Sequence, residues 1–278
     1  MSFRAIRVVA AYEVERLARS PHGGAVLLLF VSLYGWAAYS LRRIVDSVPG
    51  GSGVDLDSDF AKAVASFVGG AVELSPDALT DTFRDHPPLL VAVFALSLML
   101  TPLLAILLSS DQTATDIRTR HLRFLLLRTD RLSLYLGRAV GTLGAFAIAQ
   151  ALATAAVVLA LSPSRVGGAD GALYLLRGYA NVLLLAVPCI ALMAALSALT
   201  AHAARALMLA MAIWVVLAIA VASTGTDFEF LRFGFPTAGK YRALSDHLGD
   251  LAPLLGFQLA YAALALGLGF VAFRRRDL

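Results

Sequence analysis

Residues 88–109 read PLLVAVFALSLMLTPLLAILLS, with no Asp, Glu, Lys or Arg anywhere in the run. A bilayer core about 30 Å thick takes roughly 20 apolar residues of helix to cross, so this stretch is long enough to span. Inside lipid no water pairs a free N–H or C=O, which makes helix the one state open to such a run. Five further runs of the same kind surround it, at 23–41, 139–161, 178–200, 206–223 and 252–273. The sequence therefore predicts an all-α polytopic membrane protein with six transmembrane helices.

Composition agrees. Of 278 residues, 59% are hydrophobic and 15% charged, against about 45–50% and about 25% in soluble domains. That balance excludes a disordered chain, a disulfide scaffold and an ordinary cytosolic enzyme. Cys189, the single cysteine, has no partner for an internal disulfide and lies within an apolar run, where it reads as a small packing residue. The basic residues are almost all arginine, with only Lys62 and Lys240 as lysines. On a membrane protein such charge speaks of sidedness before it speaks of nucleic acid.

With the N-terminus inside, segments 1–22, 110–138, 201–205 and 274–278 face the cytoplasm. Together they hold fourteen arginines against six acids, a net +8, whereas the outer segments hold nine basic residues against thirteen acids, a net −4. The positive-inside rule then puts both termini in the cytoplasm. Glu13 and Glu15 in the leading segment, and the lack of a small-residue cleavage site, favour an uncleaved anchor over a signal peptide.

Segment 1–22 is not apolar enough to span. A wheel places Phe3, Ile6, Ala10, Val14 and Leu17 on one face and Arg4, Glu15, Arg16 and Arg19 elsewhere, the pattern of an interfacial amphipathic helix; a flank that merely fixes topology is the alternative. Glu13 and Glu15 read there as solvated. The large outer loop, 42–87, opens on the flexible Pro49-Gly50-Gly51-Ser52-Gly53 and then shows helical spacing over 57–72. A second short helix is expected from Ser75-Pro76-Asp77. The outer loop 224–251, before the last span, is rich in aromatic residues and glycine.

Catalytic and metal-binding signatures are missing. The five histidines have no paired ligand spacing. Gly234-Phe235-Pro236-Thr237-Ala238-Gly239-Lys240 has phosphate-loop spacing, but Tyr241 stands where a Ser or Thr would hold magnesium, so a glycine–proline turn is the better reading. Gln150, Asn181 and Gln258 are polar residues inside spans, serving either as interhelical glue or as lining of a translocation path. No span holds an ionisable carboxylate or base in its interior, which argues against transport driven by protons or sodium.

The segment between the second and third runs, residues 109–131, reads SSDQTATDIRTRHLRFLLLRTDR. Leu122, Leu125 and Leu126 have helical spacing beside an arginine series, an apolar ridge that topology charge alone does not require. Anionic headgroups and a soluble partner are the two other readings, and the ridge favours the partner. The order of features here is Asp116, then Arg120-His121-Leu122-Arg123, then an apolar run to Leu127, then Arg128-Thr129-Asp130-Arg131, then Gly137-Arg138. It resembles the inner loop of permease subunits in ATP-binding-cassette transporters of the type-2 export class (ABC-2-like). The ending Phe273-Arg274-Arg275-Arg276-Asp277-Leu278 is similar to that family's Phe-Arg-Arg-Asp-apolar terminus. Two departures stand out: Asp116 replaces the commoner Glu, and Arg120-His121 replaces a Gly-Thr pair.

The resemblance implies one permease domain over 1–278 and a second permease copy or paralogue as partner. It also implies two cytoplasmic ABC ATPase subunits that carry ATP and Mg, so that this chain is no enzyme and holds no cofactor. The coupling residues would be Asp116, Arg118, Arg120, Leu122, Arg123, Arg128 and Arg131. The expected setting is the plasma or inner membrane, with export as the activity, an outer-face partner at 54–85, the lipid bilayer as surroundings and no nucleic acid. The competing classes are a membrane-embedded protease or lipid-modifying enzyme, and a non-catalytic scaffold.

Overall fold

The computed structural model describes residues 2–47, 88–119, 122–161, 168–224, 234–238 and 248–276. The chain folds into helices α1 (Phe3–Arg19), α2 (Pro21–Ser47), α3 (Pro88–Ser109), α4 (Ala114–Arg118) and α5 (Leu122–Leu126), followed by α6 (Arg131–Leu161), α7 (Gly168–Thr200), α8 (Ala203–Thr224) and α9 (Leu248–Arg274). No strand occurs among the described residues. Among the described residues, five stretches are long and apolar enough to cross a membrane: Pro21–Ser40, Leu90–Arg118, Arg131–Leu159, Asp170–Thr200 and Ala252–Arg274. The expected run 206–223 falls in α8, whose apolar stretch Ala203–Leu217 is shorter. The segment 54–85 and the two short outer helices expected within it lie outside the described residues.

α7 is the hub. It packs against α3, α6, α8 and α9, while α1 and α2 both lie on α6. Aromatic rings fill one end of the bundle: Phe30 meets Phe146 edge-on at 5.4 Å and Phe94 meets Tyr174 at 5.9 Å. Proline removes an amide donor inside α3 (Pro102) and α7 (Pro188). Around the first of these, Ser97 and Thr101 turn their hydroxyls back onto the carbonyls of Val93 (2.8 Å) and Ser97 (2.6 Å), so these side-chain polar groups are paired within the helix.

The contact between α1 and α6 is set by glycine. A Cβ on Gly137 would stand 2.7 Å from Val9 Cβ, and one on Gly141 would stand 2.7 Å from the carbonyl oxygen of Ala10. Any larger residue would separate the two backbones. Ile6 and Val9 meet residue 137, Ala10 and Glu13 meet residue 141, and Val14 meets residue 144, so the register advances in step and α1 runs alongside α6.

The face of α1 that meets α6 is centred on Val9, Glu13 and Leu17, and Phe3, on the apolar face expected at the membrane surface, is 86% exposed. One sequence expectation is corrected here. Glu13, expected to be solvated, is buried at 1% exposure, because Gly141 lets α6 approach close enough to cover it.

Candidate coupling site

The short segment between α3 and α6 is where charged side chains enter the interior. After Ser109 the chain turns through Ser110 and Gln112 and starts again as α4, whose first turn is steadied by Asp111: its Oδ1 accepts the Thr115 amide at 3.0 Å. Thr113 bonds Ser197 of α7 at 2.9 Å, hydroxyl to hydroxyl, and ties this turn to the hub. Asp116, one turn further, faces inward and is buried. Its partner is Arg138 of α6, buried at 2% exposure, which forms an ion pair with the Asp116 carboxylate and donates through Nη1 to the carbonyl oxygen of Gln112.

A second arm reaches the same place from α1. Arg16 pairs with Glu13 at 2.6 Å, donates to the Asp111 carbonyl at 3.0 Å, and lies 3.9 Å from the Asp111 carboxylate. Burial pushes the Glu13 carboxyl above the usual glutamate range, against the pull of the Arg138 and Arg16 charges. For Arg16 burial acts downward, but the negative charges of Glu13, Asp111 and Asp116 outweigh it and hold the guanidinium above its ordinary value. Three acids and two arginines thus join α1, the α3–α4 turn, α4 and α6. Removing one partner of a buried pair leaves the other uncompensated, at about 3–5 kcal/mol. That asymmetry makes the cluster a joint with one geometry.

The outward side of the segment differs. Arg118, Arg123 and Arg128 are exposed, as are Phe124 and Leu127. Arg120 lies outside the described residues, with His121. Leu122 is fully buried among Leu134, Tyr135, Ala198 and Phe273, so it anchors the segment. The apolar ridge is a one-turn helix, α5, separate from α4. Asp130 caps α6 by accepting the Ser133 amide at 3.0 Å, and that bonding holds its carboxyl below the usual aspartate range. Arg131 turns toward the end of the chain, donating to the Arg274 carbonyl at 2.6 Å. The structure therefore gathers Asp116 and Leu122 inside and presents Arg118, Arg123 and Arg128 outside.

Glu13, Arg16, Asp111 and Arg138 were missed as site residues. Arg138 carried a signal, standing beside Gly137 at the start of a span; Glu13 and Arg16 are three apart and share a helix face, a weaker one.

The three polar residues within spans lie on three different helices, α6, α7 and α9. Gln150 lies among α2, α3, α6 and α7, beside Tyr34, Ser97 and Tyr179. Asn181 is buried on α7. Gln258 is fully buried on α9 and donates to the Ala238 carbonyl at 3.5 Å. That carbonyl belongs to the segment with phosphate-loop spacing, where residues 235–238 form a turn closed by the Ala238 amide on the Phe235 carbonyl. Tyr261 bonds the Gly234 carbonyl at 3.3 Å and Trp214 packs edge-on against Phe235, so the segment is a plug on α8 and α9.

Several helices long and apolar enough to cross a membrane, joined by a segment of short helices held by buried charge, define a multi-pass membrane protein. Residues 7–278 match the family model described as ABC-2 family transporter protein. The chain belongs to that family. No curated relative matches it. Members of the family are transport permeases that are not themselves catalytic; they generally work with ATP-binding partners and often dimerise.

Proposed function

We propose that this chain is the membrane half of an ATP-driven exporter of the plasma or inner membrane, with six spans and both termini in the cytoplasm. Two cytoplasmic ATPase subunits bind a dimer of permeases, as two copies or as one copy and a paralogue, and hold the ATP and Mg. They engage the segment 110–138 through Arg118, Arg120, Arg123 and Arg128, with Phe124 and Leu127 as the apolar component. ATP-driven closure pushes this segment, and the spans rock in response. Residues 54–85 take an outer-face partner.

One observation carries the reading: the segment's outer side is basic and apolar while its inner side is locked by the Asp116–Arg138 pair. A push on a loosely attached loop would be absorbed locally, whereas a push on α4 acts directly on α6 and, through Arg16, on α1. The charge asymmetry across the membrane supports the orientation, and the absence of ionisable residues inside the expected spans supports an external energy source.

The reading is tested by capture of a co-expressed ABC ATPase subunit. Arg118→Glu with Arg123→Glu puts the wrong sign on the contact surface. Capture should fall, and fall further at low salt, where charge is least screened. Full capture at both low and high salt by correctly oriented double variant would remove the docking assignment.

A further inference from the structure

The end of the chain is fastened to the far end of the same segment, and the fastening uses backbone carbonyls. Arg131, the first residue of α6, donates through Nη1 to the carbonyl oxygens of Arg274 at 2.6 Å and Arg276 at 3.4 Å. Arg276 in turn donates through Nη2 to the carbonyl of Leu199, in the last turn of α7. The final carbonyls of a helix have no partner within it, and the dipole makes that end negative. Arginine from a neighbouring element satisfies both requirements at once. Here two such caps are crossed: the start of α6 holds the end of α9, and the tail after α9 holds the end of α7.

Apolar packing beneath follows the same lines. Phe273 is fully buried against Leu122, Leu134, Ala194 and Ala198, with its ring 5.7 Å from that of Tyr135. One turn earlier, a Cβ on Gly269 would stand 2.6 Å from Ala195 Cα, so the α9 backbone rests directly on α7. Leu122 belongs to α5, which brings the coupling segment itself into this contact.

We propose that residues 273–276 form a C-terminal latch that clamps the start of α6 to the ends of α7 and α9, with Arg131 and Arg276 as positioning residues. A push on the coupling segment then moves the last span together with α6. The latch rests on the coupling reading above for its role in transmission, and on its own bonds for its existence. Arg131 acts through these carbonyls and not by touching the ATPase, which separates it from Arg118, Arg123 and Arg128.

The test uses the full-length permease in lipid nanodiscs, alone and with a co-expressed ABC ATPase subunit, comparing Arg131→Ala, Arg276→Ala and Arg131→Lys. Amide hydrogen exchange of the lone permease is read at the first turn of α6 and the last turns of α7 and α9. Arg131→Ala should raise exchange at the ends of both α6 and α9 by about tenfold, as loss of a charge-assisted bond implies. Arg276→Ala should do so at the end of α7. Arg131→Lys should stay near the parent, because an ammonium still donates to a carbonyl. Unchanged exchange in the middle of α3 shows that each variant is folded. With the ATPase, Arg131→Ala should keep full capture but lose stimulated hydrolysis several-fold, with rescue by Arg131→Lys. Parent-like exchange in both alanine variants would overturn the latch, and altered exchange with undiminished stimulation would overturn its role in transmission. If the parent captures no ATPase, the coupling reading has failed, and the exchange result alone decides the latch.

Discussion

The two ends of the helix bundle are held by different physics. Around Phe30, Tyr34, Phe94, Phe146 and Gln150, spans meet through aromatic edges, apolar packing and isolated polar groups. Around Glu13, Arg16, Asp116 and Arg138, they meet through buried charge. Packing is non-directional and tolerates substitution of similar volume at modest cost. Buried charge is directional, and it penalises every arrangement in which one partner is missing. Under the proposed function, the charged end transmits displacement and the packed end stays closed.

The largest effect expected from this contrast is at Arg138. Arg138→Ala leaves Asp116 buried without its partner cation and should destabilise the permease by about 3–5 kcal/mol, measured by thermal unfolding in nanodiscs. Adding Asp116→Asn should recover part of that loss. A loss below about 1 kcal/mol would mean that water reaches the cluster and that the ion pair is worth no more than an exposed one.

At the other end, Leu90→Met, at a buried apolar position of the same cluster, should change stability by less than about 1.5 kcal/mol, the range for hydrophobic swaps of similar volume, in the same assay. A loss as large as that of Arg138→Ala would erase the distinction between the two ends.

The smallest effect is in pH dependence. Glu13 is pushed up by burial, so its contribution is complete below the ordinary glutamate value and is lost as pH rises through the raised one. Stability should therefore decline with rising pH above about pH 4.3, and Glu13→Gln should flatten that slope. An unchanged slope in the variant would show that Glu13 is already ionised at low pH.

The long helices and the segment between α3 and α6 were legible because their signals are local. An uncharged run such as 88–109 has only one state in lipid, and Asp116 and the arginine series stand in a contiguous stretch. The inner half of the site was not legible. Glu13 on an amphipathic helix looks like any surface glutamate until Gly141, 128 positions later, lets α6 close over it. Leu122 was expected to act outward with the arginines and is instead an anchor, because its neighbours Tyr135 and Phe273 come from distant helices. Arg131 shared a stretch with its docking neighbours, and only the position of the C-terminus shows its different bonds.

The central claim is that Asp116 transmits motion and does not bind the ATPase. It is tested most directly by measuring ATPase capture and permease-stimulated ATP hydrolysis side by side for Asp116→Ala. Its carboxylate faces Arg138 and not the outer surface, so capture should match the parent while stimulation falls by at least about tenfold, the rate equivalent of 1.4 kcal/mol. Loss of capture in step with stimulation would contradict the account, and so would full stimulation with the ion pair removed.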